Sequence, residues 1–232
     1  VFMTGGTVSN CTIMQNWGGA NNTASLGGGV YISGTDAMVR ESIICSNNVA
    51  ASGVGPVSGG GGVYVNQGRM LNCLLFNNTA LTSLQSDGNS RGGGAYLNAG
   101  GMIAHCTITR NWTRTPGWGW GDGLYMGGGA ISNSIVYFNH NPSVTYTLLH
   151  RNIYQAGGTV TYSCTTAPEI SGVGNTFAEP DFVNRTNSDW HLLPLSPCID
   201  SAADLGVALD REGNPRPVDG NENGIALPDM GA

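Results

Sequence analysis

Apolar and polar positions alternate in short, strand-length bursts along residues 1–165, and the same bursts return about every thirty residues. One burst is a Gly-rich step into a strand: Gly29-Val30-Tyr31-Ile32, Gly62-Val63-Tyr64-Val65, Gly94-Ala95-Tyr96-Leu97, Gly123-Leu124-Tyr125-Met126 and a degenerate Asn152-Ile153-Tyr154-Gln155. A second runs into asparagine: Cys11-Thr12-Ile13 to Asn16, Ser42-Ile43-Ile44 to Asn47, Cys73-Leu74-Leu75 to Asn78, Cys106-Thr107-Ile108 to Asn111, and Ser134-Ile135-Val136 to Asn139. A third apolar strand (Val8, Val39, Met70, Ile103, Ile131, Val160) leads into the second. Side chains alternate across a strand, so the residues flanking each tyrosine face inward and the tyrosine faces out.

The tyrosines lie 33, 32, 29 and 29 residues apart. A fixed period of this size, built from short strands and glycine turns, specifies a solenoid. The pattern predicts an all-β, right-handed parallel β-helix (a β-solenoid) of about six rungs with three strands per turn, its hand following the rule for parallel crossovers. Stacked at about 4.8 Å per rung, it would stand roughly 25–30 Å tall. Glycine clusters are expected to supply the positive-φ corners. The asparagines are expected at a left-handed bend, their amides hydrogen-bonding from rung to rung. Cys11, Ser42, Cys73, Cys106 and Ser134 form one inward column of small side chains. The stretches 17–27, 48–60, 79–91, 112–121 and 140–151 read as long loops leaving one corner, a variable ridge where binding specificity would sit.

Charge divides the chain in two. Residues 1–165 hold four acids and six arginines, net +2; residues 166–232 hold eleven acids and three arginines, net −8, which sums to the overall −6. The break coincides with the end of the repeat, so 166–232 is expected to be an acidic, loop-rich capping module. Lysine is absent, which excludes lysine as a general base or Schiff-base former in this chain. The basic footprint that nucleic-acid binding needs is missing. No apolar run is long enough for a transmembrane helix. Val1 is not a translation start and falls close to the beginning of a rung, which suggests a processed chain or a piece of a longer one.

The rung signatures Gly128-Gly129-Ala130-Ile131 and Phe76-Asn77-Asn78 resemble those of polymorphic outer-membrane proteins and related adhesins, parallel β-helix proteins of bacterial surfaces. The tail is similar to the C-terminal region called choice-of-anchor Q. The residues that carry this are Pro180-Asp181-Phe182-Val183, Trp190-His191-Leu192, Ser196-Pro197-Cys198-Ile199-Asp200, Asp210, Gly213-Asn214-Pro215-Arg216-Pro217 and Asp229-Met230-Gly231-Ala232. The resemblance implies export and a surface or extracellular location, with no fixed enzymatic activity.

Candidate chemistry is sparse. Cys164 and Cys198 flank the acidic module, and a disulfide between them would stabilise it by roughly 3–4 kcal/mol in the loop-entropy account; an exported chain permits it. Asp219, Asn221 and Asn223 at alternate positions, with Gly224 and then Asp229, resemble half of a calcium loop, although the closing acid falls one position early. Glycan lyases and hydrolases on such folds need a proton-abstracting base or paired carboxylates. Asp36, Glu41, Asp87 and Asp122 share no column, and His105, His140 and His150 are isolated. Arg110, Arg114 and His105 make the least implausible cluster. No catalytic residue is therefore assigned, and a carbohydrate-active enzyme stands as the alternative reading.

Aromatic residues give a stronger lead. Tyr31, Tyr64, Tyr96, Tyr125 and Tyr154 form an outward ladder, which serves either as a structural staple or as a platform for sugar rings or another protein. Trp112, Trp118 and Trp120 lie in one Gly-rich stretch and must fold back or meet a partner. The expected role is a secreted or surface structural and adhesive protein that binds extracellular polysaccharide or a surface protein. A homo-oligomer stacked end to end into filaments is a specific variant, because an open strand edge templates pairing.

Overall fold

A computed structural model describes residues 1–21, 23–52, 57–82, 90–114, 119–140, 152–166, 170 and 172–232. Trp118, Asp87 and His150 lie outside the described residues. The chain is a parallel β-solenoid, and its strands stack on their equivalents one rung away in strict parallel register. Tyr64 pairs with Tyr31 on one side and Tyr96 on the other, as the period requires.

Each turn has more sides than the apolar pattern predicts. The first wall is a ten-stranded sheet with two limbs. One limb carries Phe2–Met3, Val30–Ile32, Leu124–Met126 and Ile153–Gln155; the other carries Thr7–Ser9, Met38–Arg40, Ala130–Ser132 and Thr159–Thr161. In the middle rungs Val63–Leu71 and Ala95–Ala104 run through both limbs, with a register shift after Val65. The second wall is Thr12–Met14, Ile43–Cys45, Leu74–Phe76, Thr107–Thr109 and Ile135–Tyr137. A third (Trp17–Asn21, Asn48–Ser52, Thr79–Thr82, Trp112–Arg114) and a fourth (Ser25–Leu26, Ser58–Gly59, Ser90–Arg91, Gly119–Trp120) follow.

The third and fourth walls fall inside stretches that read as loops in the sequence. Their residues are mostly Gly, Ala, Ser, Thr and Asn, which carry no large apolar alternation, so the strands are set by stacking on neighbouring rungs. Among the described residues these walls hold four strands each, giving about four turns rather than six. At the sixth level the described residues form strands in the first wall, and Cys164 continues the second wall as a bridge to Ile135.

The interior follows the predicted columns. Val30, Val63, Ala95 and Leu124 are fully buried, as are Ile32, Val65, Leu97 and Met126. Val39, Met70, Ile103, Ile131 and Val160 fill the second limb, and Ile44, Leu75, Ile108 and Val136 the second wall. Ile170 joins this core from the segment after the last rung.

Two kinds of corner are present, and the glycine corners expected make up one of them. Gly27, Gly60, Gly92 and Gly121 take positive φ (71, 63, 63 and 65°) before the first wall. The bends flanking the second wall use other residues: Glu41, Asn72, His105 and Asn133 before it, and Ser46, Asn77, Arg110 and Phe138 after it. The stacked asparagines sit one residue beyond that second bend and do not themselves take the left-handed conformation. Asn is still common at such bends because its short polar side chain tolerates them.

Candidate functional site

Two polar ladders run the length of the solenoid. In the first, each asparagine Oδ1 accepts both the backbone N–H and the Nδ2 of the asparagine in the preceding rung. The distances are 3.1 and 2.8 Å for Asn16 to Asn47, 3.0 and 3.0 Å for Asn47 to Asn78, and 2.9 and 3.0 Å for Asn78 to Asn111. Each Nδ2 also donates to a strand carbonyl, as Asn78 does to Ile44 at 2.8 Å. In the second, the Cys/Ser column does the same with one atom. Ser134 Oγ accepts the Cys106 N–H at 3.1 Å and donates to the Ser132 carbonyl at 2.7 Å. Both ladders end on residues after the repeat, with Asn152 donating to Thr166 Oγ1 (2.7 Å) and Ser163 N–H donating to Asn175 Oδ1 (3.0 Å).

The tyrosine ladder forms as a stripe along the first wall. Ring centroids lie 4.8, 5.0, 4.7 and 5.4 Å apart from Tyr31 to Tyr154. Phe2 extends the stripe at one end (5.3 Å) and Trp120 packs on Tyr154 at the other (4.6 Å). Successive planes are mostly tilted or edge-on, so the stripe is a ribbon of ring edges rather than one flat plate. Tyr64 is 6% exposed and Tyr125 is 8%. Burial, together with the neighbouring Tyr31 and Tyr96, pushes the Tyr64 hydroxyl up to about 12. Burial raises Tyr125 also, against the Arg91 guanidinium, which lies 5.0 Å from its ring centroid. Trp112 is half-buried on the third wall.

The acidic module meets the solenoid in two places. Phe182, Trp190, Cys198, Ala202 and Met230 pack on the outer face of the second wall, sharing a core with Leu74, Ile135 and Cys164. Nearer its start, Ile170 joins the solenoid interior and Thr176 pairs with Cys164.

A seam of corner residues clamps this tail, and the sequence reading missed it. Arg216 donates from Nη1 to Asn72 Oδ1 (3.2 Å) and His105 Nδ1 (2.6 Å), and from Nη2 to the Gly231 carbonyl (3.2 Å). Asn133 accepts the Ala203 N–H and donates to its carbonyl, at 3.0 and 2.6 Å. His105, expected as a polar turn or surface residue, sits at a left-handed corner and is fully buried. Burial and then the Arg216 charge pull it down to about 4. The available signal was the polar column Asn72, His105 and Asn133, one position before the Cys/Ser column. Arg110 and Arg114 do not join His105: Arg110 donates to the Arg185 carbonyl and Arg114 is exposed.

The remaining candidates are placed as follows. Cys164 and Cys198 are buried free thiols in contact, and that contact together with burial pushes Cys164 well above the usual thiol range. Asp219 accepts the N–H groups of Asn223 (3.1 Å) and Gly224 (2.8 Å), while Asp229 accepts that of Asp200 (2.9 Å). The two carboxylates thus serve separate turns, and no group of three or more His, Cys, Asp or Glu suited to a metal occurs among the described residues. Asp122 accepts from Thr113 N–H and Oγ1, and Glu41 accepts from Ser9 Oγ. His191 is exposed between Asp189 and Glu212, which hold its pKa above the ordinary value.

No helix among the described residues is long and apolar enough to cross a membrane, a statement that leaves β-barrels aside. Set against family models, curated proteins and solved structures, the chain finds no match. The class the fold defines is thus a parallel β-solenoid repeat protein.

Proposed function

We propose that this chain is a secreted or cell-surface structural and adhesive β-solenoid that binds glycan or protein along its aromatic wall. The observation that carries the reading is the unbroken run of rings from Phe2 through the five tyrosines to Trp120, at centroid spacings of 4.6–5.4 Å. Phe2 is exposed and Tyr31, Tyr96, Trp120 and Tyr154 are half-buried, so these rings offer amphipathic contact area, with the buried Tyr64 and Tyr125 packed between them; two χ angles per ring leave little entropy to lose on binding. The choice-of-anchor Q resemblance of the tail supports an exported, anchor-proximal placement. Its motif residues Phe182, Trp190, Cys198 and Met230 have a packing role here, gluing the tail to the solenoid.

Self-assembly by end-to-end stacking is a second reading, since unpaired strand edges template pairing. The test is retention on immobilised polysaccharides, with electron microscopy of the unbound protein. Retention lost on replacing Tyr31, Tyr96 and Tyr154 by Ser supports the aromatic wall. A chain that releases sugar products from the column is instead the carbohydrate-active enzyme.

A further inference from the structure

We propose that the outer face of the third wall, next to Trp17, is a binding site for a neutral oligosaccharide. The proposal rests on the reading of the chain as a binding solenoid and assigns a ligand class to a face away from the tyrosines. Trp17 is 70% exposed on the strand Trp17–Asn21. It borders a groove of about 480 Å³ that is lined further by Gly19, Asn21, Ala50, Ser52 and Leu81.

The sequence shapes this groove by omission. In a strand, alternate residues face out, so Trp17, Gly19 and Asn21 present one face with Ala50 and Ser52 of the next rung. A Cβ on Gly19 would lie 3.5 Å from the Trp17 indole nitrogen and 3.5 Å from the Ala50 carbonyl oxygen. The absence of side chains there leaves a trough beside an indole. Ser52 donates its hydroxyl hydrogen to Asn21 Oδ1. That leaves the Asn21 amide to donate and the Ser52 oxygen to accept, the complementary pair that a vicinal diol can meet.

The lining decides the ligand. None of the described residues lining the groove is charged; the one cation in the column of Gly19, Ala50 and Leu81 among the described residues is Arg114, at the far end beside Trp112. An exposed indole over small residues, with a few placed polar groups, suits the apolar face and hydroxyl rim of a pyranose. The site extends past one sugar. Trp17, Asn48, Thr79 and Trp112 stand in one register column. Two indoles therefore bracket the column across three rung spacings, about 14 Å.

The test titrates the protein with neutral glucan, mannan and xylan hexaoses and with an oligogalacturonate, reading tryptophan emission, acrylamide quenching and calorimetry. At least one neutral hexaose is expected to bind and to protect Trp17 from quenching. Trp17→Ala and Ala50→Arg, the latter filling the trough from the solvent side, are each expected to raise Kd about tenfold or more, as for the loss of a stacked anchor. Their urea midpoints report that the fold is kept. Binding that survives both variants but is lost in the tyrosine variants overturns this site and leaves the proposed function standing. Preference for the anionic oligomer, or binding of no hexaose, overturns the ligand class, while retention on protein partners judges the proposed function separately.

Discussion

Asn152 closes the asparagine ladder on Asn139 from only 13 residues away, where every earlier step spans 28 to 33. Its Oδ1 accepts the Asn139 N–H at 2.9 Å and Nδ2 at 3.0 Å. In register, Asn152 stands where Gly123 stands one rung earlier, next to Leu124 and Ile153. The glycine position and the ladder compete for the same space: a Cβ on Gly123 would lie 2.5 Å from Asn139 Nδ2. At the last rung the side chain that grows from the glycine position becomes the ladder member itself. The degenerate repeat is thus a terminator of the ladder.

The ladder should carry stability in its interior and little at its open end. Asn111→Ala leaves buried N–H and C=O groups unpaired and is expected to cost on the order of 2–4 kcal/mol. Asn16→Ala, at the exposed first rung, should stay within about 1 kcal/mol. Urea denaturation of both variants measures the difference, and equal losses would remove the ladder from the account.

The glycines directly preceding the first-wall strands, such as Gly94, should be intolerant for steric reasons, in contrast to the positive-φ Gly27, Gly60, Gly92 and Gly121. A Cβ on Gly94 would meet the Gly123 carbonyl oxygen at 2.7 Å and Asn111 Nδ2 at 2.8 Å. Gly94→Ala is expected to destabilise by about 1–3 kcal/mol through overpacking. Gly5→Ala, with nothing within 4 Å, should be close to neutral. Combining Gly94→Ala with Asn111→Ala should cost less than the sum of the two, because the contact with the Asn111 amide disappears while that with the Gly123 carbonyl remains.

Tail docking should weaken in mild acid. His105 has a folded-state pKa of about 4, below its unfolded value, so between about pH 6.5 and 4 the unfolded chain binds the extra proton. Stability is then full above pH 6.5 and falls as pH drops toward 4, by on the order of 3 kcal/mol. Arg216, Asp204 and Asp229 face the ring and set the same balance. His191, raised by Glu212 and Asp189, works in the opposite sense: its contribution is present below the unfolded value and fades as pH rises. His105→Asn, which keeps a residue suited to the left-handed corner, should flatten the urea-midpoint profile between pH 6.5 and 4. An unchanged slope would assign the acid sensitivity elsewhere.

Thiol reactivity should split one against five. Cys11 is exposed, while Cys45, Cys73, Cys106, Cys164 and Cys198 are buried. Burial raises Cys45 and Cys106, and contact with Cys198 raises Cys164, which suppresses the reactive thiolate. Native alkylation followed by peptide mass spectrometry should label Cys11 at once and the others only on unfolding. Rapid labelling of Cys164 would show that the tail detaches from the wall.

The parts of the fold legible in the sequence are those with large apolar side chains. Val30, Ile32, Ile44 and their equivalents declare two walls by alternation, and Asn47, Asn78 and Asn111 declare the ladder that follows the second. The third and fourth walls were hidden because Gly18, Gly19, Ala50, Ser58 and Ser90 carry no such alternation and become strands only by stacking. The tail's composition marked it as separate, yet nothing local told that Arg216 would find His105, 111 residues away. Trp17 escaped notice as a site because only the folded groove shows what the indole borders.

The most direct test of the central claim is chromatography of the intact chain on immobilised neutral polysaccharides, with reducing ends assayed in the same eluate. The account predicts retarded elution that weakens in the aromatic variants, with no release of sugar. Unretarded passage, or sugar released in proportion to contact time, would contradict it.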